Sequence, residues 1–471
     1  APSISAARWS SRSITMDRSD SATGTGILLS AIVGGLVMKY NPVQLVTQFF
    51  RTIWLVRYSL LTIVLMLALG TLTRYSGTDT TLGLAFATAA FSADSTDWAK
   101  FRGPAGNGAV PALAGAKWSL KEVWKSPTNL GFSSFAVAGG KAYTIVTGET
   151  DGNTGEMLAC YDAASGKEVW SKPLSVIPKY DGGGNAGAKG NEGGDGSRSS
   201  PVIDGDKVYV IDSLLHVFAF DAATGKAVWD HDVMKENSGE MIKWQNAASP
   251  LIDGDVLMLA GGGKGQALIG LNKNTGKVLW KGEDDKMTHA TPILADILGV
   301  HQAIFFTQTG LVGIEPKKGD VLWRAEFPYK VSTAASPVVF DDIVYCSAGY
   351  GVGAGAFKLS KKGSKLSAEQ IWRRENECFN HWSTPVVKDG YLYGMFSFKE
   401  YGAGPLACVD IRTGKDMWKE GGFGPGQVIL VGDKVVATSD KGEVVVAAAN
   451  PEKYSEVARK DVLEGKVWSY P

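Results

Sequence analysis

Arg198, His289, Trp382 and Trp468 share a sequence position. Each stands three residues before a proline, as Ala247 and Ala334 do elsewhere in the chain. An indole face stacks on apolar or sugar surfaces, and a guanidinium pairs a carboxylate through two parallel hydrogen bonds. Brought together, these four residues would suit a carbohydrate or a peptide. His289 and His381 are the histidines a metal could recruit. With five histidines scattered through the chain and no carboxylate at a matching spacing, a satisfied or solvated imidazole is the better reading, and no metal is expected. The four cysteines, Cys160, Cys346, Cys378 and Cys408, lack the close paired spacing of a zinc site or redox motif. Cys346 and Cys378 are the pair that a disulfide could join in an oxidising compartment. The glycine-rich run Asp181–Arg198 precedes a strand rather than a helix, so its phosphate-loop reading is weak, and it reads as a mobile insertion in preference to a lid over the channel mouth.

The elements that must position these residues come from a repeat. Five copies align without gaps: Asp162–Trp170, Asp221–Trp229, Asn272–Trp280, Glu315–Trp323 and Asp410–Trp418. Each has a polar residue at its head, then Gly166, Gly225, Gly276, Gly319 or Gly414, then two more apolar or mixed positions and a tryptophan. The polar residue can bond its own turn backbone, and the glycine supplies the positive φ of a tight reversal. The tryptophan then wedges against a neighbouring unit. A looser copy ends at Trp372, and Trp124 closes a half-copy with only its last strand. Successive tryptophans, from Trp124 to Trp418, lie 43 to 59 residues apart, the length of one four-stranded blade.

A second marker runs out of phase with the first. Ser200-Pro201, Ser249-Pro250, Thr291-Pro292, Ser336-Pro337 and Thr384-Pro385 each lead into an apolar strand. Proline is tolerated there because a strand's first residue forfeits no ladder bond. The order is therefore first strand, hairpin, second strand, third strand, Asp-headed turn, and a fourth strand carrying tryptophan. The fold class is all-β, a propeller of seven to eight four-stranded blades over residues 97–471. Glycine at 58 residues and 10% aromatics agree with such a turn-rich chain. The residues three before each first-strand proline then ring one end of the central channel.

These copies resemble the PQQ (pyrroloquinoline quinone) repeat family, whose motif looks like Ala-x-Asp-x-x-Thr-Gly-Lys-x-x-Trp. Its members include quinoprotein alcohol dehydrogenases and BamB-like outer-membrane assembly factors. The resemblance covers about Trp98 to Pro471 and implies an eight-bladed circle closed between the chain ends. Six Trp-terminated blades follow Trp124, and a seventh over Gln427–Ala449 and beyond lacks the tryptophan. Val467-Trp-Ser-Tyr-Pro471 resembles His381-Trp-Ser-Thr-Pro385, so the eighth blade is expected to be truncated, leaving Lys117–Trp124 without a partner sheet. The dehydrogenase members hold PQQ over a disulfide between adjacent cysteines, with calcium on carboxylate and amide oxygens. This chain has no adjacent cysteine pair and no acidic cluster at its inner strands. The reading therefore favours a scaffold or ligand-binding module with an envelope protein partner and no cofactor. A PQQ- and calcium-dependent oxidoreductase and a carbohydrate-binding propeller are the alternatives.

Forty-eight basic residues balance 48 acidic ones, so there is no electrostatic footprint for nucleic acid. Residues 38–96 read as a targeting segment and linker. An uncharged, largely apolar run, Tyr58–Thr73, follows Lys39, Arg51 and Arg57, which suits a signal peptide or an anchor helix with its N-terminal side in the cytoplasm. Small residues over Ala85–Ala93 offer a cleavage site. Either reading exports the propeller and confines membrane contact to this segment. Residues 1–37 match nothing downstream, and Met38 is a candidate start.

Overall fold

Alternating short strands and tight turns leave this chain little scope for helix. The computed structural model bears this out for the residues it describes, 97–471 except 113–117, 119, 151, 178–195 and 465–466. Residues 1–37, the apolar run Tyr58–Thr73 and most of the glycine-rich run lie outside the described residues. No described helix is long and apolar enough to cross a membrane.

Among the described residues seven sheets, each of four consecutive antiparallel strands and one with a further short strand, follow one another, and the fold is a β-propeller. Blades 1 to 7 span residues 136–176, 202–232, 251–282, 293–326, 338–375, 386–420 and 427–461. The first strands of neighbouring blades approach one another around the axis. The middle strands are mostly buried, whereas the fourth strands face solvent more, as Asp416–Glu420 does, exposed except at the half-buried Trp418. The core therefore lies between blades. Tyr143, Ile145, Leu158 and Cys160 of blade 1 pack with Val208, Val210 and Phe220 of blade 2. Sixteen buried residues join blades 4 and 5.

The repeat residues do the mechanical work their types suggest. Asp221 accepts from the backbone N–H of Thr224 at 2.8 Å, and Asp162 and Asn272 cap their turns in the same way. Gly166, Gly225, Gly276, Gly319 and Gly414 have φ between 68° and 76°. They also accept the previous blade's indole. A Cβ on Gly319 would lie 2.5 Å from Trp280, and one on Gly276 would lie 2.6 Å from Trp229. The indole N–H then donates to a carbonyl of the same turn: Trp229 to Lys273, Trp280 to Pro316 and Trp372 to Ile411, each at 2.8 Å. Trp170 packs on Gly225, and Trp418 donates to Asn450 of blade 7, whose turn has no glycine in the motif position. Trp323 departs from the pattern. Blade 5 turns through Lys362-Gly363-Ser364 rather than the Asp-headed motif, and Trp323 donates to Gln302 within its own blade.

Two further details differ from the sequence reading. The glycine-rich stretch Gly349–Gly355 suits a blade-top turn by composition, yet Gly353 and Gly355 belong to the third strand of blade 5, Gly353–Lys362. Trp124 lies in no strand, yet it reaches its docking place, packing on Gly166 and donating to the Ala163 carbonyl at 3.1 Å.

The Ser/Thr-Pro marker builds a belt around the axis. The N–H of Ser134 donates to Ser200 Oγ, that of Ser200 to Ser249 Oγ, that of Ser249 to Thr291 Oγ1 and that of Ser336 to Thr384 Oγ1, at 2.9 to 3.1 Å. Tyr470 joins it, its N–H donating to Ser134 Oγ at 2.9 Å. The segment Trp98–Val110 then crosses the channel. Trp98 bridges Val137 of blade 1, the Ala99 carbonyl accepts from Ile203 of blade 2, and Ala109–Val110 pairs in parallel with Leu430 and Val431 of blade 7. Arg102, 2% exposed, donates to the carbonyls of Thr384 and Pro385 of blade 6.

Candidate functional site

The five residues three before a first-strand proline, Arg198, Ala247, His289, Ala334 and Trp382, line one cavity together with Trp468, whose proline, Pro471, opens no described strand. Phe101 from the crossing segment, Phe132, Gln427 and Tyr470 complete much of the wall. The shared position works because each residue precedes the belt by the same number of residues, so the belt sets them at one height around the axis.

The side chains form a continuous girdle. The Arg198 guanidinium lies 5.6 Å from the Phe132 ring, which stacks on Trp468 at 4.8 Å. Trp468 lies 4.8 Å from Trp382, and Trp382 lies 4.7 Å from His381. His381 meets Tyr350 and Phe398 edge-on at 5.1 Å each. Tyr350 stacks on Trp244, which reaches His289 at 6.2 Å. Ala247 and Ala334 line the same cavity and add no ring to the girdle.

His289 spends both ring nitrogens on the protein. Nε2 lies 3.0 Å from the Lys243 carbonyl, which can only accept, so Nε2 carries the proton and Nδ1 accepts from Ser332 Oγ at 2.9 Å. Burial pushes His289 down to about 4 and His381 to about 3, the latter also lowered by His289 and Lys399. Both are neutral imidazoles at neutral pH. Gln427 stands where other blades have serine or threonine. Its Nε2 donates to the Trp382 and Trp468 carbonyls at 3.1 Å each, which ties blade 6 to the segment 467–471. Its Oε1 and His381 Nδ1 are buried with no hydrogen-bond partner among the described residues.

The chemistry open to this site is narrow. The cavity holds about 80 Å³, room for a few waters, and none of its lining residues is a carboxylate. A planar quinone with calcium needs carboxylate and amide oxygens and several hundred Å³; the lining offers one amide, Gln427, and does not fit that group. Among the described residues no three of His, Cys, Asp and Glu gather closely enough to hold a metal. All four cysteines are buried and free, Cys346 and Cys378 included, and burial pushes both of those thiols up.

Sequence reasoning did not single out Phe132, Trp244, Tyr350 or Phe398. Phe132 had a signal, because Ser134 takes the belt position of blade 1 without a following proline. The other three stand on loops of unequal length, where no repeat register identifies them.

In sequence, the chain is 24% identical over 301 residues to the outer membrane protein assembly factor BamB of Moranella endobia, covering 62% of this chain and 59% of that protein. It is 30% identical over 143 residues to the quinoprotein alcohol dehydrogenase PedH of Pseudomonas putida, covering 28% of this chain and 24% of that one. The chain thus spans under two thirds of the length of either relative. In structure, it resembles a quinohemoprotein alcohol dehydrogenase of Pseudomonas putida, with 13% identity, 81% of this chain and 74% of that chain covered and a TM-score of 0.51, a likeness of fold. The family model described as outer membrane protein assembly factor BamB matches residues 119–232 and 155–420. That is more than half of the chain, which belongs to this family of PQQ-repeat β-propellers.

Proposed function

We propose that this chain is an exported, non-catalytic propeller that acts as an interaction scaffold for proteins of the cell envelope. The observation that carries this reading is the filled channel mouth. The position at which the dehydrogenase relatives are expected to hold a cofactor is occupied here by stacked rings around about 80 Å³. A propeller without a chemical centre still offers loops and blade edges of fixed geometry, which is what a scaffold requires. The name of the matching family and the Moranella relative support an envelope partner. The uncharged run Tyr58–Thr73 behind Lys39, Arg51 and Arg57 supports export.

The test is a calorimetric titration of the full chain with PQQ and calcium, followed by dye-linked alcohol oxidation and by cross-linking in envelope fractions. The expected result is no saturable heat, no turnover and a discrete cross-linked envelope protein. Turnover with PQQ would replace the scaffold by an oxidoreductase. Saturable sugar binding lost on Trp382→Ala would replace it by a carbohydrate-binding propeller.

A further inference from the structure

One sector of the channel mouth, around Trp244, Tyr350 and Phe398, carries aromatic surface and positive charge beyond the rings that line the cavity. Trp244 stands on the segment leading into blade 3. Tyr350 stands on the loop between the second and third strands of blade 5, and Phe398 on the same loop of blade 6. All three are partly exposed. Exposed lysines frame them. Lys243 Nζ lies 4.9 Å from the Trp244 ring centroid, and Lys399 Nζ lies 5.2 Å from Tyr350 and 5.1 Å from Phe398. Lys330 reaches the Gly351 carbonyl at 3.5 Å, on the loop that carries Tyr350.

None of these three lysines forms an ion pair with a described residue. The acids on these loops and on the neighbouring connection are already engaged. Glu236 lies 3.3 Å from His231, Glu240 pairs with Lys286, and Glu377, between blades 5 and 6, pairs with Arg374. Glu400 turns its carboxylate back onto Ser397 Oγ at 2.7 Å and the backbone N–H groups of Phe398 and Lys399, and these bonds hold it below the usual carboxylate range against the opposing effect of burial. The backbone adds a second, independent sign. Trp244, Gln245 and Tyr350 take φ of 72°, 64° and 58°, a region bulky side chains seldom visit and one that clusters at functional sites.

We propose that this face binds a segment of a partner polypeptide in which carboxylates alternate with apolar side chains. The rings of Trp244, Tyr350 and Phe398 take the apolar side chains, and Lys243, Lys330 and Lys399 take the carboxylates. The proposal rests on the scaffold reading and names the surface and the chemistry of the partner.

Two measurements on the full chain test it. The first is fluorescence anisotropy with a labelled 12-residue peptide of repeating Asp-Phe-Asp-Leu and its Asn-Phe-Asn-Leu twin. The acidic peptide is expected to bind on the order of tenfold more tightly than its twin, a preference that salt and the triple variant Lys243→Glu, Lys330→Glu, Lys399→Glu each abolish. Trp244→Leu is expected to weaken both peptides. Equal binding of the twins, no binding of either, or a preference unmoved by the triple variant overturns the proposal. The three lysines are exposed and Trp244 is partly so, and an unchanged melting temperature separates a lost site from a lost fold.

The second measurement places a photo-cross-linking residue at position 350 or at position 169, on the outer strand of blade 1, in envelope fractions. Adducts at 350 that the acidic peptide competes away support the proposal. Adducts at 169 alone overturn the docking site and leave the scaffold standing, whereas no adduct at either position overturns both. Binding to anionic vesicles that the triple variant abolishes, with no peptide preference, would assign the lysines to a lipid surface instead.

Discussion

Six junctions between successive blades of this propeller carry a hydrophobic core, and the face of blade 1 turned toward blade 7 does not. Between blades 4 and 5 the core includes Phe306, Trp323, Phe327 and Phe357. On the open face of blade 1, among the described residues, the buried cluster is only Ala142, Val146, Ala159 and Tyr161. A cavity of about 680 Å³ lies beyond them, lined by Val123, Trp124, Phe135, Tyr161, Leu463 and Trp468 among others. Val123 is 82% exposed there. Yet the tryptophan lock is present on both sides: Trp124 meets Gly166 much as Trp280 meets Gly319. The lock is thus a local device of one indole, one glycine and one carbonyl, whereas stability comes from the two sheet faces that close over it.

That difference is sharpest if the two indoles are removed. Trp280→Ala empties a site 9% exposed between two packed sheets and is expected to cost about 3 to 5 kcal/mol. Trp124→Ala removes an indole 38% exposed at the edge of a cavity and is expected to cost about 1 kcal/mol or less. Urea unfolding of the two variants checks this, and equal losses would mean that the lock rather than the sheet faces carries the junction.

The filled mouth should also show itself in acid. His289 and His381 titrate lower in the folded chain than in the unfolded chain, so the folded state binds fewer protons. Their neutral forms contribute stability above the unfolded value near 6.5. This contribution is lost as pH falls through the window down to about 4 for His289, on the order of 3 kcal/mol for that residue. His301, which bridges Asp296 and Asp253, has the opposite sign: its raised pKa favours the fold below the unfolded value and is lost as pH rises through the folded one. It is 46% exposed, so solvent screens it and its share is small. Melting temperature measured from pH 8 to pH 4 should therefore fall, and His289→Asn should flatten the fall. A profile unchanged by that substitution would place the acid sensitivity elsewhere.

Gly319→Ala and Gly166→Ala compare the same backbone demand against different surroundings. Both force alanine into a left-handed conformation, at about 1 to 2 kcal/mol. At Gly319 the new methyl also meets the buried Trp280 ring, which adds about 1 to 3 kcal/mol. At Gly166 it meets Trp124, which can swing into the cavity. Thermal unfolding should show the first variant as the less stable, and a reversed order would show Trp124 held as firmly as Trp280.

What the sequence made legible is what the repeat register carries. The Asp-headed turn, its glycine and the tryptophan give the four-stranded blade. The Ser/Thr-Pro marker gives the first strand and, three residues before it, the wall of the cavity from Arg198 to Trp468. Features outside the register were hidden. Nothing in Trp98–Val110 repeats, so its path across the inner strands of blades 1, 2, 6 and 7 and the burial of Arg102 depend on contacts over hundreds of residues. The stack of Trp244 on Tyr350 likewise joins loops of blades that are not neighbours in sequence.

The smallest expected effect concerns hydrogen exchange in the two strand-like segments that end in a locked indole. Val278–Gly282 is paired along its length with Leu268–Leu271, and its amides should open only with much of blade 3. Leu120–Ser126 makes no backbone hydrogen bond to another described residue, although Trp124 anchors it by its ring. Fast exchange across 120–126, with protection in 278–282, is the expected outcome. An exposed run of unpaired N–H and C=O groups is also a template for pairing with another chain. Protection of 120–126 that rises with protein concentration would therefore mean that copies of this chain meet across the cavity, and the contrast between closed and open junctions would belong to the single chain alone.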